Sequence, residues 1–310
     1  MALGAHLCDL DDLDAQGITD VLDTAESMAE ILARPIPRVP ALRGRTVMLL
    51  FYEASTRTRH SFELACKALG ADSLSLAAAT SSVVKGESLI DTVRTARALG
   101  ADAVVLRHPA SGAARLAATL NLLPVINAGD GIHAHPTQAL LDVFTVRRRF
   151  GRLAGLQLTI VGDILHSRVA RSSALAFARM GVKVVLCGPP TVVPPEAGPA
   201  LGARVCHDLT EALRGADVVM ALRIQKERQD RGLLPSAAEY RALWGLDAGR
   251  LAAACPGAVL LHPGPVNRGV ELAPELLDRP EAAVDSQVRA GVAVRMAVLY
   301  MLLEQGAGAA

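Results

Sequence analysis

Short apolar runs alternate with segments of helical period along almost the whole chain. The runs at 46–51, 72–77, 103–107 and 123–127 read as strands, as do those at 157–162, 183–187, 203–206, 217–221 and 258–261. Between the earlier runs, apolar positions recur every three or four residues over 18–32, 60–69, 88–99, 113–120 and 137–150, which predicts amphipathic helices. Gly70 stops the second of these, as a glycine cap does. This alternation predicts an α/β fold of parallel strands joined by right-handed crossovers, with ligands at the carboxyl ends of the strands. The series restarts after Gly151, so two doubly wound parallel-sheet domains are expected, over 1–150 and 151–285. The proline- and glycine-rich stretch at 189–199 reads as a surface loop. A last helix at 286–305, apolar around much of its circumference, is expected to pack across both domains, with 286–310 returning toward the first.

The polar residues gather at the predicted strand ends. Ser55-Thr56-Arg57-Thr58-Arg59 lies between the strand ending at Phe51 and the helix that follows. Free backbone N–H groups and the positive end of the helix dipole favour an anion there, and Arg57 and Arg59 add planar forks that match phosphate oxygens. Arg107-His108-Pro109 ends another strand, and His135-Pro136-Thr137-Gln138 follows the Gly129-Asp130-Gly131 turn. Ser81, Lys85 and Glu87 belong to a polar loop with a single lysine. Later in the chain, Asp163, His166 and Arg168 follow one strand, Arg223, Gln225 and Arg228 a second, and the run from His262 to Arg268 a third. Each cluster alone has a bland reading: His135 as a satisfied structural histidine, Arg168 as a surface ion-pair partner, Lys85 as a solvated loop lysine. Clusters at so many strand ends are not all incidental. Their sum is many cationic or neutral donors, few carboxylates and no nucleophile–base triad. Such a site binds anions and polarises a carbonyl.

Composition changes this picture little. A hydrophobic fraction of 51% with 20% charged residues describes a compact protein, and 310 residues exceed one typical core. A formal charge of +1 gives no reason to expect nucleic acid. The five dispersed cysteines lack a C-x-x-C pair, which argues for reduced thiols in a cytoplasmic protein and against a metal site. The N-terminal stretch turns acidic at Asp9, and no apolar run approaches the ~20 residues of a membrane span, so no membrane partner is expected. Gly162 stands alone where G-x-G-x-x-G would be needed, and a G-x-x-x-x-G-K-[ST] loop is missing, so neither a dinucleotide nor any other cofactor is expected.

With its motifs in this order, the chain from residue 42 to about residue 302 resembles the aspartate/ornithine transcarbamoylase family. Residues 55–59 and 135–138 are similar to the carbamoyl-phosphate signatures of the whole family. Lys85-Gly-Glu87, the run from Arg223 to Arg228 and the run from His262 to Gly269 resemble its aspartate branch. The H-C-L-P and D-V-W-x-S-M-G segments of an ornithine enzyme are absent. The resemblance implies carbamoyl transfer from carbamoyl phosphate to L-aspartate, giving N-carbamoyl-L-aspartate and phosphate in de novo pyrimidine biosynthesis. It implies that Ser55, Thr56, Arg57 and Thr58 hold the phosphate, with Arg107 shared between phosphate and carbonyl. Thr58, Arg107 and His135 would donate to the carbamoyl oxygen. Gln138 and the backbone carbonyls of Gly264 and Pro265 would receive the carbamoyl NH2. Arg168, Arg223 and Gln225 would bind the aspartate carboxylates. Ser81 and Lys85 would enter from a neighbouring subunit of a homotrimer, Lys85 reaching both substrates. The resemblance leaves room for a regulatory chain or a dihydroorotase as partner. Ala54, Val84 and Gly264 depart from common family residues; the first and third touch backbone geometry and are expected to tune the site without abolishing it.

Overall fold

The computed structural model describes residues 3–77, 86–224, 233 and 236–305. The chain divides into two compact units, Met1–Phe144 with Val288–Ala310, and Thr145–Gln287. The division falls inside a helix rather than after it, and the return to the first unit falls inside the last helix.

In the first unit, β1 (Thr46–Phe51), β2 (Asp72–Ala77), β3 (Ala103–His108) and β4 (Val125–Asp130) form a parallel sheet in the order β2-β1-β3-β4. Its helices are α1 (Ala15–Leu32), α2 (Thr56–Leu69), α3 (Leu89–Ala98), α4 (Ala113–Ala118) and α5 (Pro136–Phe150). The continuous burial of Val47, Met48, Leu49 and Leu50 is that of a strand covered on both faces, as crossover helices require. Val93 and Ala96 of α3, with the alanines of α4, pack on Met48, Leu50, Val104 and Leu106. β4 runs past its expected end at Asn127, because a register shift between Leu106 and His108 lets Asp130 keep pairing with His108. Leu7 bridges in parallel to Ile126: its N–H donates to Val125 O and its carbonyl accepts from Asn127 N–H, both at 2.9 Å. A one-residue bridge has no period, so the hydrophobic pattern gives no sign of it.

The second unit holds β5 (Gln157–Val161), β6 (Lys183–Cys187), β7 (Ala203–Cys206), β8 (Val218–Ala221) and β9 (Val259–Leu261), parallel, in the order β7-β6-β5-β8-β9. Between them lie α6 (Arg168–Arg179), α7 (Ala197–Leu201), α8 (Leu209–Leu213), α9 (Ala237–Trp244) and α10 (Ala248–Leu251). Leucines of α8 and α10 cover Val161, Val185, Val219 and Leu260. The stretch at 189–199 is not wholly a surface loop. Val192 and Val193 are fully buried, and Leu165 N–H donates to Val192 O at 2.9 Å, so the valine pair anchors the loop against the one that carries His166.

The last helix, α11 (Val284–Gln305), begins in the second unit and continues in the first. In the second, Gln287 Oε1 accepts from His262 N–H at 2.9 Å. In the first, the Arg295 guanidinium lies 5.2 Å from the Phe62 ring centroid. Contrary to the sequence expectation, Val284–Glu304 is long and apolar enough to cross a bilayer, but 67% of its most apolar window is buried within the protein. It is a core helix. All five cysteines are free thiols, and burial pushes those of Cys8, Cys66 and Cys187 up to about 12.

Candidate active site

In each sheet the strand order reverses beside one strand, β1 in the first and β5 in the second, and ligands of open α/β sheets bind beyond the carboxyl end of such a strand. In the first unit Phe51, the last residue of β1, lies in register beside Arg107 of β3. Ser55 follows β1 as the extended N-cap of α2, with φ −160°, and its hydroxyl makes no capping hydrogen bond. Thr56 and Arg57 are exposed in the first turn of α2, while Thr58 is buried, its carbonyl accepting from the Ser61 hydroxyl at 2.8 Å. A helix start without a side-chain cap, with polar side chains around it, suits an anion. Arg59 lies one residue beyond Thr58 and is half-buried. Its Nε sits 3.5 Å from Glu63 Oε1, one turn along α2, an ion pair within the helix.

Arg107 is held at two points. Its Nη1 donates to Ala128 O at 3.3 Å and its Nη2 to Glu53 Oε1 at 3.2 Å. The entry to α5 is knitted by Asp130, which accepts from Gly112 N–H at 2.7 Å, Ala134 N–H at 3.1 Å and Asn127 Nδ2 at 2.8 Å. Gly131 has φ 46° there, and a Cβ would meet Ser111 Oγ at 2.3 Å, so no side chain fits. His135, 4% exposed, accepts through its carbonyl from Gln138 N–H at 3.0 Å and Ala139 N–H at 3.2 Å, which turns the chain into α5. Gln138 Nε2 donates to Asp142 Oδ1 at 2.9 Å, leaving Oε1 as the amide's acceptor. Behind them Arg295 is buried. Burial holds its guanidinium down near 10; the Asp142 carboxylate opposes that shift and the Arg107 cation reinforces it.

Sequence reasoning missed Glu53, Asp130, Asp142 and Arg295. Glu53 carried one signal, an acid immediately before a cationic run. Arg295 carried none, being flanked by apolar residues in a largely apolar helix.

In the second unit, Asp163 follows β5 and accepts from His166 N–H at 3.1 Å, with the His166 ring 2.9 Å from its Oδ2. Ser167 caps α6 by accepting from Ala170 N–H at 3.1 Å, and Arg168, 4% exposed, is the first residue of that helix. Arg223 follows β8 half-buried. Beyond β9 the Gly264–Pro265 peptide is cis. Arg168, Arg223, Gly264 and Pro265 thus stand beyond the carboxyl ends of β5, β8 and β9. Ser81, Lys85, Gln225 and Arg228 lie outside the described residues. Among the described residues, no group of three or more His, Cys, Asp or Glu could hold a metal ion. The first unit can hold a phosphoryl group and polarise a carbonyl, and the second offers two guanidiniums suited to carboxylates.

Residues 5–148 match the family described as aspartate/ornithine carbamoyltransferase, carbamoyl-P binding domain. Residues 154–302 match aspartate/ornithine carbamoyltransferase, Asp/Orn binding domain. The aspartate carbamoyltransferase catalytic subunit of Pelotomaculum thermopropionicum is 58% identical over 304 residues, covering 98% of each chain. The structure of aspartate transcarbamoylase from Trypanosoma cruzi in complex with carbamoyl phosphate and aspartate superposes with a TM-score of 0.87 at 29% identity, covering 96% of each chain. Ornithine carbamoyltransferase from Pyrococcus furiosus superposes with a TM-score of 0.87 at 28% identity, covering 98% of this chain and 99% of that one. Backbone likeness therefore does not separate the two substrates. The likeness at 58% identity is to an aspartate carbamoyltransferase.

Proposed function

This chain belongs to the aspartate/ornithine carbamoyltransferase family, and from that premise we propose that it transfers the carbamoyl group of carbamoyl phosphate to the α-amine of L-aspartate. The products are N-carbamoyl-L-aspartate and phosphate, within de novo pyrimidine biosynthesis. The observation that carries the reading is the edge shared by β1 and β3, where an uncapped helix start faces the ligand end of the sheet beside a guanidinium held by Glu53 and Ala128.

Ser55, Thr56, Arg57 and Thr58 hold the phosphate, and Arg107 bridges it to the carbonyl. The amine attacks the carbamoyl carbon, and negative charge grows on the carbamoyl oxygen. Thr58, Arg107 and His135 donate to that oxygen; preorganised donors of this kind are usually the largest catalytic contribution, and losing one costs on the order of 10²–10³ in rate. Gln138, through Oε1, and the Gly264 and Pro265 carbonyls accept from the carbamoyl NH2. Arg168 and Arg223, with Gln225, hold the aspartate carboxylates. The departing phosphate is already bound by cations and accepts the amine's proton, so no protein base is needed. Fixing both reactants makes the step effectively unimolecular.

Ser81 and Lys85 complete the site from a neighbouring subunit of a homotrimer in the cytoplasm, a compartment that suits five unpaired thiols. A regulatory chain or a dihydroorotase is a candidate partner. Phosphate release from carbamoyl phosphate that saturates with aspartate is expected; release that ignores aspartate contradicts the reading. Mixed subunits of Lys85→Ala and Arg57→Ala, each inactive alone, should recover activity on reassembly, and a mixture that stays inactive rules out shared sites.

A further inference from the structure

Behind the Gly264–Pro265 loop lies a polar cluster of buried His262, Glu271 and Gln287 with half-buried Asn267. His262 and Glu271 are each 1% exposed and Gln287 is 3% exposed. Gly264 N–H donates to His262 Nδ1 at 2.8 Å. Because Nδ1 accepts, the ring proton sits on Nε2, which faces Glu271 Oε1 at 3.3 Å. The same Oε1 accepts from Asn267 N–H, and Asn267 Nδ2 donates to Ile224 O at 3.1 Å. Glu271 is itself anchored through its carbonyl, which accepts from Leu246 N–H at 2.9 Å.

One carboxylate oxygen therefore grips the chain on both sides of residues 264–265. Through the His262 ring it fixes the Gly264 amide. Through Asn267 it fixes the backbone immediately after Arg223. Folding alone gives little reason for such a group. Glu271 Oε2 is buried with no hydrogen-bond donor among the described residues, and an apolar side chain of similar volume would spare that desolvation.

We propose that Glu271, acting through His262 and Asn267, is a positioning residue: it sets the Gly264 and Pro265 carbonyls against the carbamoyl NH2 and holds the backbone beside Arg223. The inference rests on the proposed carbamoyl transfer. It has a selective consequence. Phosphate is held by residues 55–58, which the cluster does not touch, so a disturbed cluster weakens recognition of the carbamoyl group and leaves recognition of phosphate alone.

The test uses the full chain with Glu271→Leu and Glu271→Gln, measuring kcat/KM for carbamoyl phosphate, the Kd of carbamoyl phosphate and the Kd of inorganic phosphate. Glu271→Leu is expected to lower kcat/KM about 100-fold, Glu271→Gln, which keeps one acceptor oxygen, about tenfold, with phosphate Kd within about twofold of wild type in both. An unchanged kcat/KM in Glu271→Leu overturns the proposal, as does weakening of phosphate and carbamoyl phosphate in parallel, which is what a general loss of structure produces. If Glu271→Leu does not fold, the isosteric Glu271→Gln decides by the same split. The ratio of the two Kd values needs no turnover. A wild-type chain that binds carbamoyl phosphate but makes no carbamoyl aspartate would thus sink the proposed function while still testing the role of Glu271.

Discussion

Ser55 and Ser167 hold equivalent positions, each the N-cap of a helix that follows the switch strand of its sheet, yet only one of them caps. The Ser167 hydroxyl accepts from Ala170 N–H at 3.1 Å. The Ser55 hydroxyl makes no such bond. An N-cap bond ordinarily contributes ~1 kcal/mol, so leaving it unmade at Ser55 gives up stability and keeps the hydroxyl available to an anion. At α6 the helix start is capped by its own serine, and the guanidiniums beyond the strand ends of that unit are those of Arg168 and Arg223. The first unit builds its candidate site on a contiguous polar run at a helix start, with Arg107, His135 and Gln138 added from other strand ends. The second builds its own from separate loops held by the buried acids Asp163 and Glu271.

If that contrast is right, substitutions in the two units fail differently. The largest effect is expected for Arg107→Ala, which removes a donor to the developing oxyanion and should lower kcat about 10²–10³-fold in steady-state assays. A near-normal kcat would break the comparison at its strongest point. Next comes Arg223→Ala, expected to raise the KM for aspartate about 10- to 100-fold through loss of charge-assisted hydrogen bonds, with phosphate affinity unaffected. A matching loss of phosphate affinity would mean that the units do not divide the substrates.

Asp130→Ala leaves the Gly112 and Ala134 amides and the Asn127 side chain without their acceptor. It should cost about 2–4 kcal/mol of stability in urea unfolding. The smallest pair is the sharpest. Ser167→Ala should cost about 1 kcal/mol of stability, whereas Ser55→Ala should cost less than about 0.5 kcal/mol and weaken phosphate binding instead. Equal stability losses would show that Ser55 is an ordinary cap.

The same contrast explains what could be read from the chain. β1, β3 and α2 were legible because their apolar positions follow a period, and the 55–59 run was legible because its polar residues are adjacent. Asp130, Asp142, Arg295 and Glu271 were not. Each is a single buried charge whose role shows only in the contacts of the folded chain: Asp130 meets Gly112, Asp142 meets Gln138, and Glu271 meets His262. Hydrophobic periodicity treats such a residue as noise. The Val192–Val193 anchor was hidden in a similar way by the prolines around it, which mark a turn but say nothing about burial.

The central claim is that this site transfers a carbamoyl group to aspartate. Because the backbone matches aspartate and ornithine carbamoyltransferases equally well, side-chain chemistry has to make the distinction. The direct measurement is kcat/KM for carbamoyl transfer to L-aspartate against L-ornithine, at equal concentrations and saturating carbamoyl phosphate. The account predicts carbamoyl aspartate as the product, with ornithine turned over at background rates. A preference for ornithine, or no transfer to either amine, would contradict it.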